Sequence, residues 1–108
     1  MDERSARRAA NEAVFRAGNE RIQAAVGDAL RRTPFMCECG DPSCFEPVEL
    51  TDAEYEGVRA HPARFFVTPG HEDLTSGEVV IEAFRRFSVV EKRGGEAEIV
   101  TRSDPRAA

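Results

Sequence analysis

Tryptophan is absent from this 108-residue chain, which also has only one tyrosine, one lysine and two histidines. Seven phenylalanines supply nearly all the aromatic content, so there is no rich stacking platform of the kind single-stranded nucleic acids bind. No apolar run approaches the roughly 20 residues needed to span a membrane as a helix. The opening "MDERSARRAANEA" lacks the apolar stretch of a secretory signal, so a cytosolic location is expected. Also missing are HExxH, a Walker loop, Gly-x-Ser-x-Gly, a dinucleotide fingerprint and the H-x-E/P-C-x-x-C deaminase signature. Disorder is excluded too, because 41% of residues are apolar and they cluster in periodic runs.

The charge is unevenly spread. Met1 to Arg32 carries seven Arg against five Asp and Glu, a net of +2, whereas the rest carries eight Lys and Arg against fifteen acids, a net of −7. Packing of the basic segment on the acidic body is the simpler expectation, and a charged partner the sharper one. With an overall charge of −5, nucleic acid is an unlikely partner.

From Asp2 to Arg32 there is no proline, and strong helix formers dominate. Val14, Phe15, Ile22, Val26, Ala29 and Leu30 suggest the apolar stripe of a long helix that stops before Thr33-Pro34. Before Val14 the apolar side chains are Ala, apart from Met1, so the first third is expected to project unless a partner or second copy covers it. Further on, Thr51 and Glu54 have capping-box spacing, predicting a short helix from Asp52 to Ala60 that ends at Pro62. "RFFV" reads as a strand stopped by the Pro69-Gly70 turn, and "EVVIEAF" leans to strand. "RFSVVEK" and "EAEIVTR" flank Arg93-Gly94-Gly95 and read as a C-terminal hairpin. The tail from Ser103 is expected to be loose. The fold class expected is α+β, in three parts: a helix over 1–32, a metal-stabilised domain over 33–102 and a flexible tail over 103–108.

All three cysteines fall in "FMCECGDPSCFE": Cys37, Cys39 and Cys44. A disulfide framework fits poorly, since the count is odd and Cys37 and Cys39 are too close for relaxed bridge geometry. One reactive cysteine leaves two unexplained. A metal site accounts for all three, because thiolates converging on one ion need short spacings with turn residues between them. The preferred fourth ligand is His71, in "TPGHE", where a tight turn can aim the ring inward. His61 follows a helix, where a capping or surface role is expected; it remains an alternative ligand, as do water or an acidic side chain. Sulfur ligands favour Zn2+ over magnesium or calcium, with an iron–sulfur cluster the lesser possibility. Backbone amides or an arginine, Arg64 or Arg31 with Arg32, are expected to offset the charge of the site.

A closed set of three Cys and one His leaves no open position, which makes the structural role the default. A zinc-dependent hydrolase with Glu72 as general base is the alternative from another class, and a nucleic-acid-binding zinc module a third. The leading expectation is a non-enzymatic protein-interaction or regulatory module, its long helix meeting a partner or a second copy.

The Cys-x-Cys and following Cys, "LTDAEYEGVRAHPARFFVTPGHE", "VVEK", "GEAEIV" and the helix pattern N-E-x-x-F-R-x-x-N-E-R-I over Asn11 to Ile22 together resemble a group of small bacterial proteins with no established activity. The resemblance spans roughly residues 10–105. It implies that Cys37, Cys39, Cys44 and His71 form one constellation, and it adds no catalytic residue.

Overall fold

The N-terminal helix, α1, runs from Glu3 to Val26 in the computed structural model, which describes residues 1–75 and 77–107. The Asp2 carboxylate caps it by accepting the Ser5 amide at 2.7 Å, satisfying a donor that the first turn leaves open. The helix stops at Gly27 (φ 56°), earlier than Arg32, because glycine enters this left-handed region without a Cβ penalty.

Two extended segments follow, β1 (Thr33–Met36) and β2 (Pro47–Leu50), paired antiparallel with Phe35 opposite Val48. Their prolines obscure both strands in the sequence, but a two-stranded ribbon is all edge and tolerates them. The short helix α2 (Asp52–Arg59) has the expected capping box: Glu54 N–H donates to Thr51 Oγ1 at 3.1 Å, and Thr51 N–H to Glu54 Oε1 at 2.8 Å. The remaining elements are β3 (Arg64–Val67), β4 (Glu78–Ala83), β5 (Ser88–Lys92) and a third helix, α3 (Gly94–Arg102). A three-stranded antiparallel sheet in the order β3-β5-β4 results, so the α+β class holds.

The C-terminal hairpin differs from the expected one. It joins β4 to β5, closed by Phe84 N–H donating to Phe87 O at 2.8 Å, while "EAEIVTR" is helical. Gly94 (φ 60°) turns the chain into α3 rather than back along β5. Glu96 and Val100, four apart, are the buried residues of α3, a helical rather than an alternating pattern.

Helix α1 also corrects two expectations. Its inward residues are Ser5, Ala9, Glu12, Ala13, Arg16 and Asn19, a stripe at helical spacing made mostly of polar side chains. The expected apolar stripe faces the core only in part: Ile22 packs against it, whereas Val14 is 68% exposed and Leu30, beyond the helix end, is also exposed. The first third packs rather than projects, since Ser5 and Ala9 are buried. The tail is tied down as well, with Arg106 bonded to Glu20 at 2.5 Å and Glu56 at 2.6 Å.

The core lies between the helices and both sheets. Phe35 stacks on Tyr55 at 4.4 Å, and Phe66 meets both edge-on. On the other side of β3 the buried Arg16 guanidinium lies 4.7 Å from the Phe65 ring and donates to the carbonyls of Pro62 and Val100. No helix among the described residues is long and apolar enough to cross a membrane.

Candidate metal centre

The β1–β2 connection carries the cysteines. Beyond Met36 the chain stays paired for one more residue, Cys37 N–H donating to Glu46 O at 3.3 Å, and side chains alternate across an extended backbone. Cys37 and Cys39 therefore face one way and Glu38 the other. Glu38 is wholly buried and accepts from Asn19 Nδ2 (2.9 Å), the Phe66 amide (3.3 Å) and the Arg59 guanidinium (3.4 Å). Its backbone N–H also donates to Phe66 O at 3.1 Å, so the residue between the sulfurs anchors them to α1, α2 and β3 together. Burial raises the pKa of the Glu38 carboxyl, against the pull of Arg59.

After Cys39 the chain reverses at Gly40, whose φ of 79° is left-handed. A Cβ there would lie 2.8 Å from Arg8 Cγ and 2.9 Å from Glu12 Cγ, so α1 rests directly on this backbone. Asn11 Nδ2 donates to Gly40 O at 3.2 Å and fixes the contact. Asp41 then accepts from the Ser43 amide and hydroxyl, and Cys44 N–H closes the turn on Asp41 O at 3.0 Å.

His71 comes from a segment distant in the chain, the turn after β3. The Pro69-Gly70 turn (Gly70 φ 95°) follows β3, and His71 N–H donates to Thr68 O at 2.9 Å, aiming the ring at the cysteine loop. The three Sγ atoms and one ring nitrogen all lie within 4.8 Å of one another. His71 Nδ1 is 3.7 Å from Cys37 Sγ and 3.5 Å from Cys44 Sγ. A tetrahedral zinc with ordinary Zn–S and Zn–N lengths sets that edge at about 3.6 Å.

Backbone amides favour the thiolate form at each sulfur. Thr68 N–H donates to Cys37 Sγ at 3.2 Å, and the Asp41 and Glu46 amides pull the pKa of Cys39 and Cys44 down against burial. Such donors offset thiolate charge and orient the ligands. The thiols perturb one another: their mutual hydrogen bond lowers the Cys37 pKa and, with burial, raises that of Cys39; burial raises Cys44. Crowded thiols that resist ionising together are a donor set that a divalent cation neutralises. Three Cys and one His can thus hold a metal ion here.

The guanidiniums beside the site are not the expected ones. Arg64 pairs with Glu91 at 3.0 Å, while Arg31 and Arg32 border a separate hollow with Leu30 and Glu49. Arg4 and Arg8, on the first turns of α1, line a hollow of about 300 Å³ with Cys39 and His71, and both pair with Asp73, at 3.4 and 3.3 Å. Glu72, the alternative general base, accepts the Gly70 amide at 2.9 Å and bonds the Ser88 side chain. His61 is outside the cluster, its amide donating to Val58 O at the end of α2. The sequence reading missed the supporting contacts of Asn11, Arg8 and Glu38; alternation through Cys-x-Cys was the available signal for Glu38.

No family model, curated protein or solved structure matches this chain.

Proposed function

We propose that this chain is a small zinc-binding protein whose site of Cys37, Cys39, Cys44 and His71 is structural, and that the fold it stabilises serves as a protein-interaction or regulatory module rather than an enzyme. The observation carrying this reading is the convergence of three sulfurs from one hairpin tip with an imidazole from a distant turn. One ion there joins the segment after α1 to the segment after β3. Zinc binding of this kind supplies on the order of 10 kcal/mol of folding free energy.

Three thiolates and a neutral imidazole leave the zinc complex with one net negative charge, met by the three backbone donors. A hydrolytic role needs an open position on the ion as well as a base; Glu72 lines the hollow beside Cys39 and His71, but a set of three Cys and one His leaves no such position. The contact surface proposed is the outward face of α1, where the exposed Val14 stands among Ala10, Ala17 and Arg21.

Self-association through that face is tested by light scattering on wild type and Val14→Glu at matched concentration. The proposal expects the variant to keep its metal and melting temperature while losing oligomers. An unchanged oligomeric distribution together with unchanged capture of native binding proteins rules out this face.

A further inference from the structure

We propose that the site is opened by oxidation: a hydroperoxide reacts at Cys44, a disulfide forms within the cluster, and zinc is expelled, unlatching the first turns of α1. This rests on the zinc reading above and adds its regulation.

The three sulfurs are not equally accessible. Cys37 and Cys39 are each 2% exposed, whereas Cys44 is half-buried, beside a Phe45 that is 90% exposed. Reaction with peroxide follows thiolate character and access, and zinc holds all three sulfurs as thiolates. Access therefore selects Cys44. Its sulfur attacks one peroxide oxygen, the O–O bond breaks, and the leaving hydroxide (an alkoxide from an alkyl hydroperoxide) takes a proton from solvent to become water or alcohol; Cys44 becomes a sulfenic acid. The thiolate of Cys37 or Cys39 then attacks Cys44 Sγ, forming S–S and breaking S–O, with a second hydroxide leaving as water. Two thiolates are oxidised by two electrons, and one hydroperoxide is reduced.

The cluster already holds the resolving thiolate within 4.8 Å of Cys44 Sγ. A Cys37–Cys39 bridge is disfavoured because residues two apart cannot reach relaxed disulfide geometry. Either allowed bridge draws sulfurs to about 2.05 Å and removes two of the four ligands. The hairpin tip and the His71 turn then lose their common ion.

Helix α1 is docked on both of those segments. Asn11 bonds Gly40 O on the hairpin tip, while Arg4 and Arg8 bond Asp73, two residues beyond His71. The same short stretch of α1 therefore bonds both segments, and separating the hairpin tip from the His71 turn strains those contacts. Oxidation thus reaches the first turns of α1 through the metal.

The test uses the full chain purified without chelator, its zinc content measured first, then treated with hydrogen peroxide under argon. Zinc appearing in solution is followed with a colorimetric indicator, disulfide formation by intact mass and the α1 segment by hydrogen exchange. The proposal expects one zinc released per loss of about 2 Da. It also expects faster exchange across residues 3–12 and recovery of zinc binding on thiol reduction. At substoichiometric peroxide a sulfenic-acid trap should label Cys44 first, and Cys44→Ser should release zinc about tenfold more slowly or less. If Cys44→Ser fails to hold zinc, the wild-type labelling pattern decides. First labelling of Cys37 or Cys39, or zinc loss only with thiol-irreversible oxidation, overturns the proposal. Zinc that is present but retained under excess peroxide contradicts the switch alone. Zinc absent at the outset contradicts the metal reading beneath it.

Discussion

Glu38 shows how single residues position this site. One carboxylate holds Asn19, Arg59 and the Phe66 amide, and thereby fixes the backbone from which Cys37 and Cys39 project. Glu38→Ala should cost about 3–5 kcal/mol, because the buried Arg59 loses its anionic partner. A urea titration of the metal-loaded protein measures it, and a loss below about 1 kcal/mol would contradict the anchoring role.

Lys92 is the second such residue. It is 1% exposed and sits 2.8 Å from Glu12, 3.0 Å from Glu78 and 3.0 Å from Glu96. Burial pushes the Glu12 carboxyl up to about 8, from an ordinary 4.5. A folded value above the unfolded one means that protonation favours the fold. The contribution is complete below about pH 4.5 and is lost as pH rises through about 8. The urea midpoint of wild type should therefore fall between about pH 6 and about pH 9, and Glu12→Gln should flatten that fall. Equal slopes in both proteins would refute the assignment. The convergence of Cys37, Cys39, Cys44 and His71 was legible from the Cys spacing and the Pro-Gly turn, since side chains that share one ion need short spacings with turns between them. Their supports were not, because buried charged residues look like surface residues until a partner from a distant element is placed beside them.

Among the elements, α1 departs furthest from its sequence pattern. Periodicity marks a helix, yet hydrophobicity marks only part of its buried face, since Ile22 meets the core while Glu12, Arg16 and Asn19 are buried by specific bonds and Val14 faces out. The N-E-x-x-F-R-x-x-N-E pattern holds these same residues, together with Asn11 on Gly40 and Glu20 on the Tyr55 hydroxyl. Removing residues 1–12 would delete Glu12 from beside Lys92, the contacts to Gly40 and Asp73, and buried Ser5 and Ala9. The truncated chain should lose several kcal/mol of stability, read as a lowered melting temperature at equal zinc occupancy. An unchanged melt would restore the view of a projecting segment. Helix α2 was fully legible, because its capping box is a local signal. Helix α3 was not: two glycines read as a hairpin turn, and the helical spacing of Glu96 and Val100 gains meaning only once their burial is known.

For the whole molecule, polar junctions join elements far apart in the chain. Among them are the Cys37–Cys39–Cys44–His71 cluster, the Glu38–Arg59–Asn19 group, the Lys92 group and the bonds of Arg16 and Arg106, with an aromatic core of only a few rings between them. A chain with so few aromatics gains disproportionately from a metal staple, and loss of the ion should be felt across the fold rather than at one loop. The α+β class could be read from the order of patterns along the chain. The joining of its halves could not, because it depends on long-range polar pairs that leave no local periodicity. The most direct measurement is elemental analysis of the chain purified without chelator, wild type beside His71→Ala, each followed by a thermal melt. The account predicts one zinc per wild-type chain, and in His71→Ala both weaker metal retention and a lower melting temperature. A metal-free wild type that melts cooperatively, and no further stabilised by added zinc, would contradict it.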